Sequence, residues 1–316
     1  MAETPPTAPH GSQLKRLMAL AEDRPPLRTA VIHPVDELSI AGAVEAGRCC
    51  LIEPVLIGPR SRILEAARSA ELDIGGLELI DAEHSHEAAR KACELAARGG
   101  AEALMKGALH TDELLEAVVA PGSGLRTDRR MSHVFVLDVP GYPRPLLISD
   151  AAINIAPDLT AKRDIVQNAI DCARAMGMSE PRVAILAAVE TVNPQMVSTL
   201  DAAALCKMAD RGQIVGGVLD GPLAFDNAVS VEAARTKGIR SPVAGLADIL
   251  IVPDIEAGNM LAKQLFYLSN AQSAGVVMGA RVPIILTSRS DPEMSRLASC
   301  ALAVLVRQHR PTKYLR

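Results

Sequence analysis

The run Pro283–Asp291, PIILTSRSD, sets two hydroxyls and a guanidinium directly after an apolar stretch. Ile284–Leu286 has the make-up of a buried parallel strand, so Thr287, Ser288 and Arg289 stand at its carboxyl end. Arginine can fork onto two oxygens of a tetrahedral anion while hydroxyls donate to a third. Asp291 reads as an N-cap and Pro292 as the first residue of the last helix. Backbone N–H groups at that helix start add to an anion site. The same residues also fit ordinary strand-to-helix punctuation, with Asp291 a cap rather than a base.

Lys106 closes a second strand of this kind, Ala103–Gly107, and Thr111 is expected to cap the helix Asp112–Val119 after it. A lysine beside a helix start can meet phosphate; a solvated lysine is the plainer reading. Three further strand exits carry polar groups. Glu190 and Asn193 follow Val183–Leu186, and Asp254 and Asn259 follow Ile249–Val252. Asp220, Asp226 and Asn227 follow Ile214–Leu219, with Asp220-Gly221-Pro222 read as a turn. Ligands of open α/β sheets sit at the carboxyl ends of strands, so successive polar exits argue for a lined cleft. Asp150 and Asn154 interrupt an apolar run, either as satisfied loop structure or as cleft lining.

Elements that position these residues alternate. Strands at Thr29–His33, Pro54–Ile57 and Leu77–Ile80 are separated by helices from Glu37 (capped by Asp36), from Ser61, and from Ser85 as cap to Arg98. Such alternation marks a doubly wound α/β sheet. His133–Val139 and Pro145–Ser149 flank Pro140–Pro143 and predict a hairpin, hence an antiparallel section. Helices follow over Leu159–Met176 and Met196–Arg211. The expected domains are 14–135 with 280–316, and 136–279, after a disordered Pro-rich tail over 1–13.

Of 316 residues, 49% are apolar but only 2% aromatic, so Ala, Val, Ile and Leu must build the core. The net charge of −4 and the lack of a basic block or aromatic interleaving point away from nucleic acid. Six scattered cysteines form no C-x-x-C pair, which suits a reducing cytoplasm. No apolar run spans a membrane, and the N-terminus lacks a signal-peptide core. There is no G-x-G-x-x-G after a strand, no Walker-type loop, no H-E-x-x-H and no G-x-S-x-G elbow.

Several long segments, in order, carry a resemblance: MKGALHTDELL (105–115), LLISDAAINIAPDLTAKRDIVQNA (146–169), LDGPLAFDNAVS (219–230), SPVAGLADILIVPDIEAGNMLAKQL (241–265) and PIILTSRSD (283–291). With them the chain resembles the phosphate acetyl/butyryl-transferase family, which interconverts acyl-CoA and phosphate with acyl phosphate and CoA. The resemblance implies an isocitrate-dehydrogenase-like fold of two α/β domains with mixed sheets and an interdomain cleft. It also implies a homodimer, with CoA as substrate and no further cofactor or metal. In the acetyl branch a Ser-Arg pair matches Ser288 and Arg289, but the acid seven residues on is Ser295 here. Two arginines of that branch are matched by Leu115 and Tyr267, and LTSRSD and VLDGPLAFDNAVS are closer to the butyryl type.

The resemblance assigns Ser288 and Arg289 to catalysis; its base does not carry over to Ser295, and Asp220 or Asp291 is the expected base toward the CoA thiol. Thr287 and Lys106 join them around phosphate. Asn154, Asn259, Thr111, Glu190, Asn193 and Lys263 complete the expected substrate-binding set. The alternatives are a metal-dependent NAD(P) dehydrogenase of the same fold, using Asp220, Asp226 and Asp254 for Mg²⁺, and a non-catalytic interaction protein.

Overall fold

The computed structural model describes residues 11–287 and 291–309. The chain runs through α1 (Ser12–Glu22), β1 (Leu27–Ile32), α2 (Glu37–Arg48), β2 (Ile52–Gly58), α3 (Arg60–Ser69), β3 (Glu78–Asp81), α4 (Ser85–Ala97), β4 (Ala103–Lys106) and α5 (Thr111–Val119). It continues through β5 (Ser132–Asp138), β6 (Leu146–Ser149), α6 (Leu159–Ala175), β7 (Arg182–Leu186), α7 (Val197–Asp210) and β8 (Val218–Leu223). Then come α8 (Phe225–Val229), α9 (Val231–Thr236), β9 (Ile249–Ile251), α10 (Ile255–Leu268), β10 (Gln272–Met278), β11 (Ile284–Ile285) and α11 (Glu293–His309). These elements divide into two compact units, one of Leu14–Arg129 with the residues from Ala274 onward, the other chiefly Arg130–Ser273. The expected cut at 135/136 therefore falls inside β5.

The first unit orders its strands β3-β2-β1-β4-β11-β10. All neighbours are parallel except β10 and β11, which meet antiparallel at Val277 and Ile284. β1, β2 and β4 are buried along almost their whole length, as strands covered on both faces must be. With so few aromatics, close helix packing fills the core. α4 turns Ala88, Ala89, Ala92 and Ala96 toward β1 and β2, and α11 buries Ala298, Ala301 and Ala303. Each fully buried Leu or Ile contributes about 1.5–3 kcal/mol.

The second unit orders β5-β6-β9-β7-β8. β5 and β6 form the expected antiparallel hairpin, and β6, β9, β7 and β8 run parallel. The Tyr142 hydroxyl ties the hairpin turn to the Ala247 carbonyl. α6 packs on β5, β6 and β9.

Caps explain where several helices begin. The carboxylates of Asp36, Asp158 and Asp254 accept from Ser39, Ala161 and Ala257 backbone N–H at 2.8, 2.8 and 2.9 Å. A cap of this kind is worth ~1 kcal/mol. Two expected caps are corrected. His84, not Ser85, caps α4 by accepting from the Glu87 N–H at 3.1 Å, and His110 precedes α5, so Thr111 is its first residue. α1 is also a correction, since Ser12 and Gln13 were expected in a disordered tail. Its buried Leu14, Leu17 and Ala21 share one helical face. The Asp220-Gly221-Pro222 turn is overturned too: these residues lie inside β8, with Asp220 paired opposite Ala184.

Candidate active site

In the first unit, β1, β4 and β11 run parallel and deliver their carboxyl ends together. β4 leaves the sheet through Gly107, whose N–H donates to the Ile32 carbonyl at 2.9 Å. A Cβ at Gly107 would sit 2.4 Å from that carbonyl oxygen, so only glycine fits. Ala108 N–H donates to the His33 carbonyl at 2.9 Å, and the His33 ring reaches back to the Ala108 carbonyl at 3.2 Å. The loop after β4 is thus pinned to the end of β1. Burial pulls the His33 imidazole below its ordinary range, against the pull of the Ala108 carbonyl.

That loop holds Lys106. Its Nζ donates to the Gly107 and Leu109 carbonyls at 3.3 and 3.2 Å. Lys106 and Thr287 line one pocket together with Asp36, Leu38, Ser39, Met105, Gly107 and Arg296. The start of α2 closes one side, so the positive end of its dipole faces the same space. Ser288 and Arg289 lie outside the described residues. Asp291 is described: its backbone carbonyl accepts from Arg296 Nη1 at 2.5 Å. The first carbonyl of α11 to accept an intrahelical bond is that of Pro292, from Arg296 N–H at 3.2 Å, which moves the helix start past Asp291. Ser295 is 3% exposed, and its carbonyl accepts from the Ser299 hydroxyl.

Arg296 was not expected in the pocket. Helical spacing could have found it, because it lies one turn beyond Pro292, at the strand exit. Thr111 stands half-buried at the start of α5 and is not among the residues lining this pocket.

In the second unit the polar strand exits serve structure more than was expected. Asp150 is 2% exposed, and its two carboxylate oxygens accept from the His133, Ala152, Ile153 and Asn154 N–H groups and from Asn154 Nδ2. Burial raises its carboxyl above the usual range, opposed by these donors. Asn154 gives Nδ2 to Asp150 and the Met131 carbonyl, while its oxygen accepts from Arg130 Nε at 2.8 Å. Its polar capacity is thus spent within the fold, so it is a structural strut and not free lining. Asn259 donates to the Ala151 carbonyl at 3.1 Å. Gly258 lets α10 come this near, since a Cβ there would lie 3.0 Å from the Asp150 carbonyl oxygen.

Glu190 accepts from Lys237 Nζ and Asn227 Nδ2, each at 3.2 Å, and the lysine contact is the main cause of its lowered carboxyl pKa. Asn193 forms a turn, accepting from Gln195 N–H at 2.9 Å. Asp220 accepts from the N–H of Gly221 at 2.8 Å on the edge strand of this sheet. Lys263 is exposed on α10. Asp220 belongs to the second unit and Asp291 to the first. Among the described residues no group of three His, Cys, Asp or Glu is placed to hold a metal ion.

Comparison with known proteins places this architecture. The model of the family described as "Phosphate acetyl/butaryl transferase" matches residues 83–304. The chain belongs to that family. This acyltransferase is 60% identical over 299 residues to a phosphate acetyltransferase of Rhizobium meliloti, covering 95% of each chain. It is 42% identical over 290 residues to a phosphate butyryltransferase of Clostridium beijerinckii, covering 92% of this chain and 96% of that one. The solved structure of a branched-chain phosphotransacylase from Enterococcus faecalis V583 is similar at a TM-score of 0.78 and 29% identity, covering 90% of this chain and all of the other. Members of the family interconvert acyl-CoA and phosphate with acyl phosphate and CoA, as the sequence resemblance implied. The family assignment sets aside the dehydrogenase alternative.

Proposed function

We propose that this family member uses acetyl-CoA as its acyl donor and that phosphate occupies the pocket at the ends of β4 and β11. The observation that carries the placement is the convergence of Lys106, Thr287 and the start of α2 on one space. In the forward direction a phosphate oxygen attacks the thioester carbonyl carbon. The tetrahedral intermediate collapses by breaking the C–S bond, and the CoA thiolate leaves and takes up a proton. The reverse reaction needs that thiol deprotonated, since the thiolate is the nucleophile. The two substrates supply every bond made and broken, so no further cofactor is called for.

Ser288 and Arg289 are proposed to complete the phosphate site from the same strand exit, with Lys106 offsetting its charge. Asp291 and Asp220 remain the two candidate bases, and a base of this kind is worth about 10²–10⁴ in rate. Glu190, Asn193, Asn259 and Lys263 are proposed on the CoA side. Acetyl preference is supported by the 60% relative, which carries an acetyltransferase name. Butyryl preference is the second reading, supported by LTSRSD and by serine at position 295. A panel of acetyl- to hexanoyl-CoA with phosphate decides between them. Highest kcat/KM on acetyl-CoA supports the first, and a maximum at butyryl-CoA replaces it with the second. No acyl phosphate from any donor would leave a non-catalytic protein on a transferase fold.

The proposed assembly is a cytoplasmic homodimer. Met260, Tyr267 and Leu268 stand 66, 74 and 78% exposed on α10. Their spacing puts them on one side of the helix, as an apolar face shared between two copies would require.

A further inference from the structure

We infer that Arg296 is a second phosphate-binding cation of this enzyme, deepening the phosphate placement proposed above, on which it rests. Arg296 and Lys106 line the same pocket, as do Thr287 and Ser39. Their situations differ. Lys106 is tethered to two carbonyls of its own loop. Arg296 spends Nη1 on the Asp291 carbonyl, while its Nε is buried without a partner among the described residues. Its hydrogen bond among the described residues is to a backbone carbonyl, and the Asp36 carboxylate lines the same pocket. A half-buried guanidinium without a salt bridge among the described residues is costly, and a bound anion relieves that cost in competition with the Asp36 carboxylate.

The side chain is held in place by its neighbours. It lies against α2 at Gly42, where an added Cβ would come within 3.4 Å of Nε and 3.5 Å of Cδ. Its backbone is fixed in the first turn of α11, and its Nη1 contact sets the plane of the fork. The donors left on the guanidinium match an oxyanion with several acceptors, where arginine outperforms a point charge. The first turn of α2, capped by the Asp36 carboxylate, borders the same pocket. Arg296 therefore acts on phosphate and acyl phosphate.

The test varies phosphate and acetyl-CoA separately with wild type, Arg296→Gln and Arg296→Lys. Arg296→Gln should raise the KM for phosphate about tenfold or more while the KM for acetyl-CoA stays within about twofold. Arg296→Lys should fall between, since it keeps the charge and loses the fork, and it serves alone if the Gln variant does not fold. Inorganic phosphate should also raise the thermal midpoint of wild type more than that of either variant, a binding readout independent of turnover. An unchanged KM for phosphate in the variants, or an equal rise in both KM values, overturns the role of Arg296. Wild type without phosphate-dependent CoA release would instead overturn the placement of phosphate, and the thermal readout would still judge Arg296.

Discussion

Gly107 shows how a single missing atom positions a charge. The β4 backbone turns so close to β1 that a Cβ would overlap the Ile32 carbonyl oxygen at 2.4 Å. Gly107→Ala must push the loop outward and carry Lys106 with it. The expected cost is about 2–3 kcal/mol of stability, read as a fall in thermal midpoint, with a weaker phosphate response alongside. A variant with wild-type melting and kinetics would show that the loop yields freely. Asn154 makes the opposite case. It was expected to face substrate, yet it braces Asp150, Met131 and Arg130. Asn154→Ala should lower stability by roughly 2–3 kcal/mol through orphaned buried partners. Its KM values should stay near wild type, and a selective rise in either would return it to the substrate.

At the scale of elements, the hairpin of β5 and β6 carries a titration that the chemistry does not use. His133 on β5 is 2% exposed and its Nδ1 has no partner among the described residues. Burial pulls its imidazole from 6.5 to about 4. The folded state then binds fewer protons than the unfolded state between those values, so stability falls as pH drops from 6.5 toward 4. The loss amounts to roughly 3 kcal/mol at the lower end. His133→Phe should flatten that part of the melting-temperature profile, and an unchanged slope would assign the acid sensitivity elsewhere.

Elements of this kind were readable where local chemistry announces them. Asp36 before Glu37 gave the start of α2, and the apolar run at Ile284 gave β11 with its exit. Elements were missed where local signals mislead. The Pro-rich head hid the i, i+3 spacing of Leu14 and Leu17 in α1. Asp220-Gly221-Pro222 has the composition of a turn, yet pairing with β7 keeps it extended. Arg296 had only its helical spacing from Pro292 as a marker, and the packing of α11 against α2 completes its place at the pocket.

For the whole molecule, the two units carry strand sets of different pattern, one parallel but for β10 and the other opened by an antiparallel hairpin. The alternation of strand and helix made this class legible. Which polar strand exits brace the fold was not, because hydrogen-bond satisfaction depends on partners distant in sequence, such as Arg130 for Asn154. The exposed side of α10 belongs to this scale too. Met260→Glu with Tyr267→Asp should convert a dimer to monomer by light scattering, since each buried apolar side chain there is worth about 1.5–3 kcal/mol. A monomeric wild type would remove the proposed interface.

Steady-state kinetics of Lys106→Ala, with phosphate varied at saturating acetyl-CoA, tests the placement of phosphate most directly. Loss of one charge-assisted contact should raise the KM for phosphate about ten- to hundredfold while the KM for acetyl-CoA holds. A KM within about twofold of wild type would mean that phosphate is bound elsewhere.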